Sequence, residues 1–176
     1  IRLKTIFGTF INEQDNIDST ISLSNSKMDI KPFVRGSAVI HKNKANESLI
    51  LEGVNYLPSF DRLVNREKFV NDDEIVIGSS LAESLKLDSS ETLVLVPLDG
   101  FIGDIINLKY YKLIFRRTFN TGMDEYDRNL AYVSISTAQK MFNMNNKVSG
   151  YIINSDTKTD ELLNYLNGSI KYPYFL

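Results

Sequence analysis

The sequence contains no cysteine, which excludes disulfides, thiolate metal centres and thiol nucleophiles and leaves the redox compartment open. His41 is its only histidine, so a Ser-His-Asp relay could be built only around that side chain. No apolar run approaches the roughly 18 residues a membrane-spanning helix requires; the longest, such as 93–97 and 49–51, are far shorter. No signal peptide is visible, no segment repeats at a solenoid period, and no Pro/Gly/Ser-rich stretch marks a linker. An excess of one charge is also missing. With 20 basic and 22 acidic residues and a formal net charge of -2, no long-range field steers the chain toward nucleic acid or an anionic surface. A nucleic-acid partner is not expected.

What the sequence does have is core. At 176 residues and 43% hydrophobic, the chain is long enough to bury one as one or two compact lobes. Residues 1–10 are β-branched and aromatic and read as a strand. Ile17 and Ile21 stand at helical spacing. Segments 30–42 and 48–56 flank the polar turn 43–46 as an antiparallel hairpin, and Pro58-Ser59 opens a short helix carrying Phe60, Leu63 and Val64. Ser80 and Glu83 have the spacing of a capping box for a helix ending near Lys86, and Ser136 and Gln139 repeat the pattern before Met141 and Phe142. Strands are expected over 91–98, 108–119, 129–135, 147–154 and 169–175, with an amphipathic helix over 157–166. Mostly adjacent strands broken by three or four short helices imply an α+β fold with a mainly antiparallel sheet.

Motifs for chemistry are sparse. His41 sits beside Lys42 and Lys44, where an exposed turn residue is expected. Asp124, Glu125 and Asp127 could offer oxygen ligands, but the EF-hand glycine and distal glutamate are missing. Arg128 and the polar turn favour solvated carboxylates over a shared-proton pair. Asp72-Asp73-Glu74 reads as a solvated loop ahead of a strand. Gly100 and Gly103 complete no phosphate-binding loop. Lys109, Lys112, Arg116 and Arg117, interleaved with Tyr110, Tyr111 and Phe115, read as one solvated strand face rather than a nucleic-acid platform. The informative anomaly is the hairpin tip, where Phe101, Ile102, Ile105, Ile106 and Leu108 stand where polar residues are expected. Apolar side chains on a projecting loop mark either a partner surface or a cover for the domain's own core.

Three strings then carry a resemblance: Ile75-Val76-Ile77-Gly78-Ser79-Ser80-Leu81-Ala82, the strand 92–96, and Phe119-Asn120-Thr121-Gly122-Met123-Asp124-Glu125-Tyr126-Asp127 with Ala131-Tyr132-Val133-Ser134. In order and spacing the chain resembles the MacB-like periplasmic core domain of FtsX-type permeases. The stretch from Gly122 to Asp127, together with Ala138-Gln139-Lys140-Met141-Phe142, Pro32-Phe33-Val34-Arg35-Gly36 and Glu52-Gly53-Val54-Asn55-Tyr56, is similar to the lipoprotein-releasing LolC/LolE branch. It covers roughly residues 30–155, through turns and caps rather than chemistry.

The resemblance implies a non-catalytic periplasmic domain over 1–176, excised from an inner-membrane permease. No cofactor is implied. The implied partners are a LolA-like lipoprotein carrier, a lipoprotein substrate, and, through the membrane part, a LolD-like ATPase and a second permease subunit. It also implies a projecting hook at about 97–110, with Phe101, Ile102, Ile105, Ile106, Leu108, Tyr110 and Tyr111 as partner-binding residues. The tip lacks the prolines of the LolC pattern, which leaves LolC-like and LolE-like roles both open. An efflux-type or cell-wall-regulating FtsX-like permease that binds an adaptor or hydrolase is the alternative. A small hydrolase using His41 with Asp124, Glu125 or Asp127 is a third reading, from a different class.

Overall fold

The structure is a computed structural model that describes residues 2–5, 11–12, 28–42, 45–58, 71–98, 109–155, 164 and 174–175. The chain divides into two compact units, 1–34 with 144–176, and 35–143. The first is made from both ends of the chain, so no linker composition could announce it.

In the terminal unit, β1 (Arg2–Thr5) pairs antiparallel with β10 (Gly150–Ser155) and with the two-residue β11 (Tyr174–Phe175). β10 pairs in turn with the first half of β3 (Met28–Lys42), placing Gly150 opposite Phe33. A separate ladder joins β2 (Ile11–Asn12) to β9 (Lys147–Val148). Phe33, Val34, Met144, Val148, Tyr151 and Ile153 are buried here. The expected helices near 17–25, 59–64 and 157–166 lie outside the described residues, apart from Asn164, which is helical.

The inserted unit is a closed barrel. The second half of β3 neighbours β4 (Ala45–Val54), followed by β8 (Leu130–Ser134), β5 (Glu74–Gly78), β7 (Tyr111–Phe119) and β6 (Thr92–Pro97), which returns to β3. Closure leaves no edge along the ring as a whole, the usual hazard of an open sheet. Alternating residues Ala38 and Ile40, Leu49 and Leu51, Leu93 and Leu95, and Leu113 and Phe115 are buried along four of the strands. Each fully buried aliphatic side chain contributes about 1.5–3 kcal/mol.

The sheet is mixed: most of its described ladders are antiparallel, as expected, and two are parallel. β4 runs parallel to β8, and β5 runs parallel to β7. β7 stands between β5 and β6, pairing parallel with β5 and antiparallel with β6. A β-bulge falls between Ile75 and Val76.

Three short helices are described: α1 (Ser79–Ser84), α2 (Asp124–Asn129) and α3 (Ile135–Met141). Neither expected capping box forms. Helix α1 begins two residues early, with Gly78 at its N-cap and no side-chain cap, and the Ser80 hydroxyl bonds Asp124 instead. Helix α3 is capped by Ser134, which accepts from Thr137 N at 3.1 Å, while Ser136 donates to Asp72. The end of α1 follows the expectation. Lys86 adopts φ 49°, its N–H bonding Glu83 O and that of Leu87 bonding Ala82 O, a Schellman closure with lysine in the position glycine usually holds.

Two glycines set how closely the helices approach. A Cβ on Gly53 of β4 would lie 2.3 Å from Ala138 Cβ of α3, and one on Gly78 would lie 2.1 Å from the carbonyl oxygen of Asp127 in α2.

Candidate functional site

The strands that hold the hairpin are well defined. β6 ends at Pro97 and β7 begins at Tyr111, with Leu95 opposite Tyr111. Phe101, Ile102, Ile105, Ile106 and Leu108 lie outside the described residues. Of the flanking pair, Tyr110 is 66% exposed. Tyr111 is half-buried and its hydroxyl donates to Lys140 O at 3.0 Å; burial raises its pKa. On the basic stretch, Lys109, Lys112 and Arg117 are exposed. Arg116 departs from the expected solvated face, since its guanidinium pairs with Glu74 at 2.8 Å. Phe115 is buried, so it does not share a solvated face with the basic residues.

The acidic segment is more structured than the sequence suggested. Residues 124–129 form α2 rather than a polar turn, and Asp127 is buried at 3% exposure, not solvated. Its carboxylate accepts from Thr121 N at 2.9 and 3.2 Å and from Thr121 Oγ1 at 2.9 Å. Gly122 N donates to Asn120 Oδ1 and Met123 N to Thr121 Oγ1. The Asn-Thr-Gly preceding an aspartate was the available signal, because such side chains compete for local backbone donors and build clasps of this kind. Asp124 is exposed, and its pKa is lowered by the Ser80 hydroxyl and then by Arg128, which it meets at 3.2 Å.

This clasp presents two large side chains to solvent, Met123 at 55% and Tyr126 at 50% exposure. Tyr126 walls a cleft of about 480 Å³ in the barrel unit, whose lining includes Arg35, Ile50, Leu98, Glu125 and Asn129. Leu98 is the last described residue before the hairpin tip. Sequence reasoning missed the cleft because α2 reaches the β3–β4 hairpin only through the parallel pairing of β4 with β8, the strand that follows α2.

Asp72 is the other polar node. It is exposed, as expected for its loop, yet it accepts from Ser134 Oγ at 2.7 Å and from Ser136 Oγ, and Lys140 Nζ lies at 3.6 Å. The Ser136 and Ser134 hydroxyls hold its carboxyl below the usual range. His41 is exposed and pairs through Nδ1 with Asn46 Oδ1 at 2.8 Å. Asp127 is occupied by Thr121, so the described bonds do not assemble His41 with Asp124, Glu125 or Asp127 into a relay. Among the described residues no group of three or more His, Asp or Glu is placed to hold a metal, and no helix is long and apolar enough to cross a membrane.

The inserted mixed barrel with a unit made from both chain ends is the MacB periplasmic type of fold. No family model and no curated sequence matches the chain. Among solved structures, it is similar to the extracellular domain of the noncanonic ABC-type transporter YknZ from Gram-positive bacteria, at TM-score 0.60 and 14% identity over 99% of this chain and 97% of that one. It is also similar to the periplasmic region of MacB from Actinobacillus actinomycetemcomitans, at TM-score 0.60 and 12% identity over 99% and 86%.

Proposed function

We propose that this chain is the extracytoplasmic domain of an ABC transporter permease of the FtsX-like superfamily, of the lipoprotein-releasing LolC/LolE kind. On this reading it receives or hands over lipoprotein on the periplasmic face of the inner membrane and catalyses nothing itself, ATP being hydrolysed by a separate subunit. The observation that carries the reading is coverage. The fold match spans 99% of this chain and 97% of the YknZ extracellular domain, so the likeness is to a whole domain and not to a shared barrel fragment. The lipoprotein-releasing specificity is supported by the sequence strings around Gly122 to Asp127 and Ala138 to Phe142, and by the apolar 101–108 segment between β6 and β7.

In this account the hairpin engages a LolA-like carrier through Phe101, Ile102, Ile105, Ile106 and Leu108, with Tyr110 and Tyr111 at its base. Each of these apolar side chains fully buried in a partner gains about 1.5–3 kcal/mol before association costs, so two or three anchors give roughly micromolar binding. The fold likeness to the YknZ and MacB domains favours a second reading, an efflux-type or cell-wall-regulating permease whose domain binds an adaptor or hydrolase. Co-purification of the full-length protein from its native membrane separates the two. A lipoprotein carrier or lipoproteins in the eluate support the first reading, and an adaptor or hydrolase in their place overturns it in favour of the second.

A further inference from the structure

One unit of the fold is continuous in sequence and the other is not. The barrel unit takes its residues from the uninterrupted stretch 35–143, whereas the terminal unit is made of 1–34 and 144–176. The described ladders keep the same division. Those joining β6 to β3, β4 to β8, β5 to β7 and β8, and β6 to β7 use only residues of the barrel unit. Those joining β1 to β10 and β11, β10 to β3, and β2 to β9 use only residues of the terminal unit. Strand β3 serves both, through 28–33 in the terminal unit and through 38–41 in the barrel.

This arrangement makes the two units unequal. Each of the four described terminal ladders joins a strand from the first stretch to a strand from the last, so with the barrel unfolded each must close across about 110 residues of loose chain. Because loop-closure entropy grows as (3/2)RT ln n, such pairing is on the order of a hundred-fold less probable than pairing across a short turn. A folded barrel replaces the loose chain with a fixed span. The barrel's own ladders are closed within 35–143, so they carry no such requirement. Three of the four terminal ladders are also short, with two or three residue pairs each, and elements of that kind open first in native proteins. The barrel ring closes on itself between β6 and β3 over the buried Ile40, Leu51, Ile75, Leu93 and Leu95.

We infer that the terminal unit opens as its own cooperative step while the barrel stays folded, and that the dependence runs one way: the terminal unit requires the barrel, and the barrel does not require the terminal unit. The device this makes is a decoupler. β1 and β11 pair side by side in the terminal unit, so a displacement imposed on either strand is absorbed there with the barrel core still closed. The inference is independent of which partner the domain serves.

The test is native-state hydrogen exchange on the whole chain in low guanidinium, read at the amides of β10 for the terminal unit and of β4, β5 and β8 for the barrel. In the unaltered chain the β10 amides are expected to share one opening, about ten-fold or more as frequent as that of the barrel amides. Ile153 is buried in the terminal unit and Leu93 in the barrel. Ile153→Ala should speed β10 exchange about thirty-fold or more while the barrel amides stay within about two-fold of their unaltered rates. Ile153→Val should give the same pattern on a smaller scale, which keeps the comparison if the alanine variant leaves the terminal unit open altogether. In Leu93→Ala the barrel amides should speed up by a similar factor, and the β10 amides should never outlast them. Equal acceleration of both sets in the Ile153 variants overturns the inference in favour of one cooperative domain. Unchanged β10 exchange in Ile153→Ala removes the separate opening, and β10 amides still protected after the barrel amides have exchanged overturn the one-way dependence.

Discussion

Replacing Gly78 with alanine sets two effects of opposite sign against each other. At φ -59° and ψ 143° the backbone suits alanine, and a restricted unfolded chain would by itself stabilise the variant by about 0.4–1 kcal/mol. Against that, the added methyl would lie 2.1 Å from the Asp127 carbonyl oxygen, 2.6 Å from its carbon and 2.7 Å from its Cα. All three are backbone atoms of α2, whose position is fixed by the Thr121 clasp, so no rotamer change can relieve them. Overpacking against an unyielding neighbour costs about 3 kcal/mol, the upper end of the usual range, and a net loss of about 2 kcal/mol or more follows. For a chain of this size that lowers Tm by about 4–8 °C. Guanidinium titration with a far-ultraviolet readout measures it, and truncating the Asp127 side chain in the same background should restore nothing. A Gly78→Ala variant as stable as the unaltered protein would refute the close approach of α2 to β5.

The same reasoning gives a different result at Gly53, where the first atom met is the Ala138 methyl. Gly53→Ala should lose about 1–3 kcal/mol, and adding Ala138→Gly should recover part of it, as a double-mutant cycle by denaturant titration would show. Lys86→Gly should raise stability by about 1 kcal/mol, since it removes the left-handed penalty of a side chain at φ 49°; an unchanged melt would argue against the Schellman closure. Asp72 has a carboxyl pKa held below its ordinary 3.8 by Ser136 and Ser134, so its contribution is present above about pH 4 and is lost as pH falls through the lowered value. Asp72→Asn should therefore be less stable than the unaltered protein at pH 6, and the gap should close as the pH drops below 4.

Strands β6 and β7 were legible because each carries a buried parity, Leu93 with Leu95 and Leu113 with Phe115, whereas β5 and β8 are buried at successive residues. Their order was not legible, since no local pattern says that β7 pairs with β5 as well as β6. The helix starts were misplaced for a related reason. Ser80 and Ser136 have the spacing of capping residues, but tertiary partners Asp124 and Asp72 take their hydroxyls. Asp127 could not be recognised as buried from a run of three carboxylates, because its backbone packs against Gly78, distant in sequence, while its carboxylate is taken by Thr121. The candidate interface divides the same way. The apolar hairpin tip is visible from composition alone, whereas the cleft is assembled from Arg35, Ile50, Leu98 and Tyr126, residues that only the folded chain brings together.

The most direct test of the central claim is isothermal titration of this domain with the LolA-like carrier of the same organism, beside its Phe101→Asp and Ile105→Asp variants. The account predicts binding near micromolar that each substitution reduces at least ten-fold. No binding by the unaltered domain, or undiminished binding by both variants, would contradict it.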